Sequence, residues 1–473
     1  MTPNQYTPEE PITSIATALA PAALGIIRVS GKNSIDLVSK VFSRPKVLLE
    51  AAGNTLVYGW IEDNKNKIDE VMLAVYRAPK SFTGEDMVEI FCHGGPSVVT
   101  AIQNLMLKSG FRQANRGEYT FRAYINGKTD LTKAEAVKEI IDSHTDVSRS
   151  HAVGRLSGSL FSEIDSIKQL IIDTLASIEV EIEYPEDEET IADTFNRSDI
   201  EQAINRLQAL VDSWKGEKLY QDGARVVLAG PTNAGKSSLF NAILKEERAI
   251  VSDIEGTTRD WLESWASING IPVRLFDTAG LRETSDVIEA QGVELSKNLA
   301  NDADVVLYLS DSSQNITEDD KSFIENCPVP LILVYTKIDK RGESLPLATA
   351  ATASSATPSS GAHPRNAPEA QVSISSKTGE GLKELFNEIE KILTAGLTTE
   401  RQQAGIGSER QKNAVSEALE CVKHALISAD DNYTLDAVVQ DLEDSLDSLS
   451  EVTGDITPDD VLGSIFANFC VGK

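Results

Sequence analysis

A chain of 473 residues is too long for one hydrophobic core and suits about three domains. Hydrophobic residues at 41% and charged residues at 25% are globular values, so most of the length should fold. The net charge of −29 excludes a chain that grips nucleic acid by its own broad basic face, and an RNA partner would need a second, more basic protein or a restricted basic patch.

The amino-terminal MTPNQYTPEEP is acidic, and the apolar stretch Ala18–Val29 is broken by Pro21 and far shorter than a bilayer span, so neither a signal peptide nor a membrane helix is expected. Residues 12–130 mix β-like runs (Gly25–Val29, Glu70–Val75, Met87–Phe91) with helix-like stretches such as Ser97–Lys108, which predicts an α+β or α/β domain, taken as α+β over 1–130. From Lys133 the texture turns helical. Ile164, Ile167, Ile171, Leu175, Ile178 and Ile182 make one apolar stripe, and Ala203, Leu207, Leu210 and Trp214 make a second after an acidic break at Glu186–Glu189. That is the first part of a helical domain, 131–222.

Val226–Ala229, Val273–Phe276, Val305–Leu309 and Leu331–Val334 are buried-strand candidates alternating with helical segments, which predicts a doubly wound, mostly parallel sheet over 223–394. Within it, residues 343–371 are rich in Ala, Ser, Thr and Pro and cannot supply a core, so an unstructured surface insertion is expected there. Helix returns over 395–473, with Val415, Leu419 and Val422, then Val438, Val439, Leu442, Leu446 and Leu449, at helical spacing. One helical domain is thus split by an inserted α/β domain. The four cysteines, Cys92, Cys327, Cys421 and Cys470, contain no Cys-x-x-Cys pair, so neither a zinc knuckle nor a disulfide framework is indicated and a reducing cytoplasm fits.

The inserted domain carries the most specific signals. Gly230-Pro-Thr-Asn-Ala-Gly235-Lys236-Ser237 matches the phosphate-binding loop between a strand and a helix, with backbone N–H groups cradling phosphates, Lys236 neutralising them and the Ser237 hydroxyl ligating Mg2+. Asp277-Thr278-Ala279-Gly280 follows the second strand, where an acid is needed near Mg2+ and a glycine N–H can sense the γ-phosphate. Between them, Gly256-Thr257-Thr258-Arg259-Asp260 offers Thr258 to complete the Mg2+ shell. Asp339 of Thr336-Lys337-Ile338-Asp339 can accept two hydrogen bonds from the N1 and N2 edge of guanine, and Ser375-Ser376-Lys377 backs the base. Together these motifs make GTP the ligand. Thr336 stands where Asn is usual, and its short side chain is expected not to span the same loop contacts, with specificity surviving through Asp339 and affinity reduced.

These motifs, with Gly25–Gly31, Ser81–Asp86, His93–Pro96, Gly117–Ala123 and the ending Phe469-Cys470-Val471-Gly472-Lys473, resemble the tRNA-modification GTPases of the MnmE (TrmE) family along most of the chain. The resemblance implies a GTPase that, with the flavoprotein MnmG in a heterotetramer or larger complex, adds an aminomethyl or carboxymethylaminomethyl group to C5 of the wobble uridine (position 34) of certain tRNAs. A one-carbon tetrahydrofolate (5-formyl or methylene) would be bound in an amino-terminal domain that also mediates homodimerisation. By position Arg28, Glu89, Lys128 and Lys473 match the family's folate contacts, and Cys470 matches its tail cysteine. Taken alone, these residues read as surface charges and an incidental thiol. His93 reads as a turn or packing residue, with a catalytic base as the alternative.

Leu281 occupies the place where many small GTPases put a water-orienting glutamine. The resemblance implies potassium activation instead, with Asn233, Ser252, Ile254 and Thr257 ligating K+ when two such domains pair, and Glu289 positioning the water. On residues alone Asn233 stabilises the loop and Glu289 is a solvated helix residue. By the same match Asn233, Ala234, Gly235, Lys236, Ser237 and Ser238, then Ser252, Asp253, Ile254, Glu255, Gly256, Thr257 and Thr258, line the nucleotide. The competing class, a ribosome-assembly or RNA-binding GTPase switch, typically carries a basic appendage that the −29 charge opposes; an ion-transport GTPase would need a membrane span.

Overall fold

The structure, a computed structural model, describes residues 10–183, 195–246, 262–277, 302–340, 368–397, 404–430 and 435–472. It divides into two compact units: 1–138, 154–211 and 407–473 form one, and 139–153 with 212–406 form the other.

The first unit is built on strands β1 (Ile12–Ile15), β2 (Ala22–Ser30), β3 (Thr55–Asp63), β4 (Asn66–Tyr76), β5 (Met87–Gly94) and β6 (Arg112–Gln113), in the order β3-β4-β5-β2-β1-β6. All pairs are antiparallel except β1 with β6. The alternation of Ile27 and Val29, Val71, Leu73 and Val75, and Val88 and Ile90 sends one face of each strand inward, onto Val99, Ile102 and Met106 of the helix Pro96–Lys108. The helical stripes behave as their spacing predicts. Ile164, Ile167, Ile171 and Ile178 of the helix Ser159–Glu183 are buried, as are Val415, Leu419 and Val422 of Glu409–Asp430 and Val438, Leu442 and Leu449 of Leu435–Thr453. A last helix, Asp459–Ala467, places Phe466 against Phe121, ring edge to ring face with centroids 5.3 Å apart.

The second unit holds β7 (Ala224–Ala229), β8 (Leu262–Ile268), β9 (Ile271–Asp277), β10 (Val305–Asp311), β11 (Leu331–Thr336) and β12 (Ala370–Ser373), in the order β12-β11-β10-β7-β9-β8. Every neighbouring pair is parallel except β8 with β9, so the expected doubly wound sheet is present. Its strands are buried on both faces, as Val-Val-Leu and Leu-Ile-Leu-Val runs demand. One face carries the helix Leu382–Leu393, whose Leu382, Leu385, Phe386 and Ile389 follow helical spacing; the other carries Glu318–Asn326. The latter helix starts at a reciprocal cap in which the Asp320 backbone N–H donates to Thr317 Oγ1 and the Thr317 N–H donates to Asp320 Oδ2. In the 139–153 segment His144 stacks on Trp265 of β8 with centroids 3.9 Å apart.

Strand β12 begins at Ala370, inside the 343–371 stretch expected to be unstructured, so the expected insertion is too long at its carboxyl end; residues 341–367 and Glu186–Glu189 lie outside the described residues.

Candidate functional site

In the second unit the phosphate-loop residues leave the carboxyl end of β7. Gly230 sits at φ 134, and a Cβ there would lie 2.3 Å from the Leu309 carbonyl oxygen of β10, so only glycine lets the loop pass this close. Asn233 adopts the left-handed region at φ 65 and is exposed; Ala234 is buried. The loop feeds the helix Lys236–Glu246, which directs its amino-terminal N–H groups toward the phosphate position. Lys236 is buried, and its Nζ donates to the Gly230 and Pro231 carbonyls at 2.7 and 2.8 Å. Ser237 Oγ donates to Oδ2 of buried Asp277, at the end of β9, over 3.0 Å. A hydroxyl and a carboxylate side by side are hard oxygen donors of the kind magnesium takes. Ser238 is exposed on the first turn of that helix.

The guanine motif ends β11. Thr336 corrects the sequence-based expectation: its short side chain does reach the phosphate loop, with Oγ1 donating to the Ala234 carbonyl at 2.6 Å and lying 3.3 Å from the Ser310 carbonyl. Gly235 beside it sits at φ 97, a backbone conformation that favours glycine, and an added Cβ would meet Thr336 only at ordinary contact distance, 3.6 Å from Oγ1. Lys337, at φ 60, donates to the Asn233 carbonyl at 2.6 Å and to Asp311 Oδ2 at 2.7 Å. That ammonium holds the Asp311 carboxyl down at about 2. Asp339 is exposed on a short turn and accepts from the hydroxyl of fully buried Ser375 at 2.8 Å, which orients its carboxylate. Ser376 is half-buried and Lys377 exposed beside it. Asp311 was not singled out from sequence; an acid closing an otherwise apolar strand was its only signal.

Ser252, Asp253, Ile254, Glu255, Gly256, Thr257, Thr258, Thr278, Ala279, Gly280, Glu289 and Lys473 lie outside the described residues.

The first unit gathers a different set. Arg28 on β2 and Glu89 on β5 are directly paired across the ladder, with Nη2 and Oε1 2.6 Å apart and both side chains about one-sixth exposed. The Arg28 guanidinium lies 5.5 Å from the Tyr119 ring centroid and 5.8 Å from that of Phe82, and its Nη1 donates to the Gly472 carbonyl at 2.9 Å. Tyr119 donates its hydroxyl to the Arg28 carbonyl, and burial pushes that hydroxyl well above its ordinary range. A cation and a carboxylate, each partly exposed, thus meet between exposed Phe82 and fully buried Tyr119. Lys128 is exposed, with Nζ on the Pro79 carbonyl at 3.0 Å.

Beneath this lies a network that sequence reading did not separate from its motifs. Fully buried Arg122 bonds Glu85 and Glu118, Arg112 bonds Glu118, and Ser30 donates to Glu85. Burial pushes the Glu118 carboxyl up, but hydrogen bonds from Arg112, the Asn115 N–H and Arg122 outweigh it, and the group sits below its ordinary value. The network fastens the 81–86 loop, β6 and the helix Glu118–Ile125 around Arg28.

Cys470 is exposed, and its carbonyl accepts from the Gly117 N–H at 3.4 Å while Val471 bridges Arg116. Gly472 adopts φ 99 with its α-carbon hard against the Ile15 carbonyl, where an added Cβ would be 2.9 Å away. His93 is not in a turn: it lies on β5, 68% exposed, with Nδ1 2.8 Å from Asp69 Oδ1. Among the described residues no helix is long and apolar enough to cross a membrane, and none of their acidic, histidine or cysteine groups forms a metal cluster.

Comparison with known families places "MnmE helical domain" on residues 131–470 and "GTP-binding protein TrmE N-terminus" on residues 11–128. The chain is 49% identical to the tRNA modification GTPase MnmE of Treponema denticola over 482 residues, covering 99% of each chain. It is 42% identical to the protein of that name in Treponema pallidum, covering 100% of each. Among solved structures, a single-residue variant of Aquifex aeolicus Era bound to GDP.AlF4- is 27% identical, covering 42% of this chain and 66% of that one with a TM-score of 0.27.

Proposed function

The chain belongs to the MnmE family of tRNA modification GTPases, and from that membership we propose that it binds GTP with Mg2+, hydrolyses it and couples the turnover to modification of tRNA. The observation that carries the reading is the convergence, at the carboxyl ends of parallel strands, of the Ser237–Asp277 pair, Lys236 and the Ser375-oriented Asp339. In this reading Lys236 and the loop N–H groups hold phosphates, Ser237 and Thr258 hold Mg2+, and Asp339 accepts from the guanine edge. Magnesium, when bound, neutralises charge on the β and γ oxygens.

The finer proposal is modification at C5 of the wobble uridine, in the cytoplasm, with MnmG as partner. Arg28, Lys128 and Lys473 would hold the folate's glutamate tail and Glu89 the pterin N–H groups, with Tyr119 and Phe82 flanking them. A tetrahydrofolate, when bound, supplies the one-carbon unit. Cys470 stands two residues before the glycine whose carbonyl accepts from Arg28, and its role in the chemistry is part of the proposal. Homodimerisation through the first unit is supported by the exposed row of Leu24, Leu56, Tyr58 and Met72 on its sheet. Potassium activation, with Asn233 and the 252–257 loop as ligands and Glu289 placing the water, is supported by the exposed left-handed Asn233.

Nucleoside analysis of tRNA from a deletion strain tests the assignment. Loss of the modified wobble uridine, restored by wild type and not by Lys236→Ala, is expected; unchanged modification on deletion would refute it. Full rescue by Cys470→Ser would remove the thiol from the chemistry. Equal GTPase rates in KCl and NaCl would remove potassium.

A further inference from the structure

At the amino-terminal ends of the second unit's parallel strands lies a cleft of about 680 Å³, distinct from the nucleotide site. Arg225 opens β7, while Asp304 and Pro330 immediately precede β10 and β11; the phosphate loop leaves the other end of β7. A six-residue strand spans about 20 Å, so a ligand in the cleft does not compete with one on the loop.

The lining is unusual for this chain. Lys215, Lys218, Arg225 and Arg274 converge there, against the carboxylates of Asp222 and Asp304, in a molecule whose net charge is −29. Asp304 is already engaged, accepting the Arg225 backbone N–H at 2.7 Å. Lys215 and Lys218 are exposed, three residues apart on one helix, and among the described residues neither has an acidic partner, a repulsive placement that a polyanion relieves. Both guanidiniums lie over rings, Arg225 at 5.4 Å from Phe276 and Arg274 at 5.5 Å from Trp265, which takes up their faces, and Arg225 Nη1 also stands 4.0 Å from exposed Asp302, a long ion pair that a phosphate would have to displace. Trp214 adds an aromatic surface to the wall, with Lys218 Nζ 6.0 Å from its centroid.

We propose that this cleft is an RNA-backbone site, taking phosphodiesters on Lys215, Lys218, Arg225 and Arg274 and an unpaired base on Trp214. It is a restricted basic patch of the kind that lets an acidic chain touch RNA without a second, more basic protein. The proposal deepens the tRNA reading above and rests on it.

The test uses the full chain with a fluorescent tRNA transcript, titrated at several salt concentrations. Lys215→Glu/Lys218→Glu is expected to weaken binding at least tenfold at low salt and to lower the slope of log affinity against log salt by about 1.4–1.8. GTP turnover and a control pair in the first unit, Lys46→Glu/Lys65→Glu, should be unaffected. Absence of RNA binding by wild type, unchanged affinity in the cleft pair, or an equal loss in the control pair overturns the proposal. So does displacement of the RNA by pyrophosphate at constant ionic strength, which marks a free-phosphate site. Unchanged affinity in the cleft pair alongside loss of wobble modification on deletion sinks the cleft and leaves the tRNA reading standing; intact modification on deletion sinks that reading itself.

Discussion

Replacing Thr336 by valine isolates one hydrogen bond at the junction of the base and phosphate motifs. Valine has nearly the same shape, so the change opens no cavity, and the side chain is 1% exposed, so water does not replace the lost donor. The hydroxyl carries one proton for two carbonyls, and the 2.6 Å distance assigns it to Ala234 rather than to Ser310 at 3.3 Å. Stripping a buried acceptor of its partner costs about 1–3 kcal/mol. If the cost falls on the loop's binding geometry, GDP affinity drops by about 5- to 150-fold, since each 1.4 kcal/mol is tenfold. Fluorescent-GDP titration with stopped-flow dissociation measures this, and Thr336→Ser should bind within about twofold of wild type because it keeps the donor. A valine variant that binds GDP like wild type and melts at the same temperature would refute the reasoning.

Alkylation by iodoacetamide at pH 8 should label exposed Cys470 and spare Cys92, whose thiol burial pushes up to about 11; comparable labelling of both, read by mass spectrometry, contradicts this. Arg122→Met removes the shared partner of Glu118 and Glu85 and should cost the first unit about 3–5 kcal/mol in urea unfolding, whereas a change below about 1 kcal/mol would mean the carboxylates are satisfied without it. Burial lowers the His144 pKa below the ordinary 6.5, so its contribution is complete above that pH and is lost as pH falls toward the depressed folded value. The melting temperature of wild type should therefore drop more between pH 7 and 5 than that of His144→Phe, which keeps a ring on Trp265; parallel curves count against the assignment.

The sheet of the second unit was legible because its strands are continuous apolar runs, and the nucleotide motifs were legible because glycine, lysine and acid must recur at fixed positions after those strands. Strand β12 was not. As an edge strand of Ala-Gln-Val-Ser it needs little apolar surface, and its composition blends with the polar stretch before it. Thr336 was misjudged because sequence reports the length of a side chain and not the gap it must cross, and here the Ala234 carbonyl lies 2.6 Å from its hydroxyl. Pattern reading likewise took Glu118 and Arg122 as motif letters; only the fold reveals that they share a charge network with Glu85 and Arg112. His93 looked like a turn residue beside Gly94-Gly95, yet its strand continues through Gly94, and Asp69 on the neighbouring strand fixes the ring.

The hydrogen bond from Arg28 to Gly472 joins residues 444 apart in sequence. During synthesis the sheet around Arg28 can close early, but this last partner arrives only with the final residues of the described chain. A transcript cut short before Cys470 would thus yield a protein with every nucleotide motif in place and an uncovered Arg28–Glu89 pair. Synthesis through Gly472 is what completes the Arg28 pair, whereas the last nucleotide motif is finished by Lys377, nearly a hundred residues earlier.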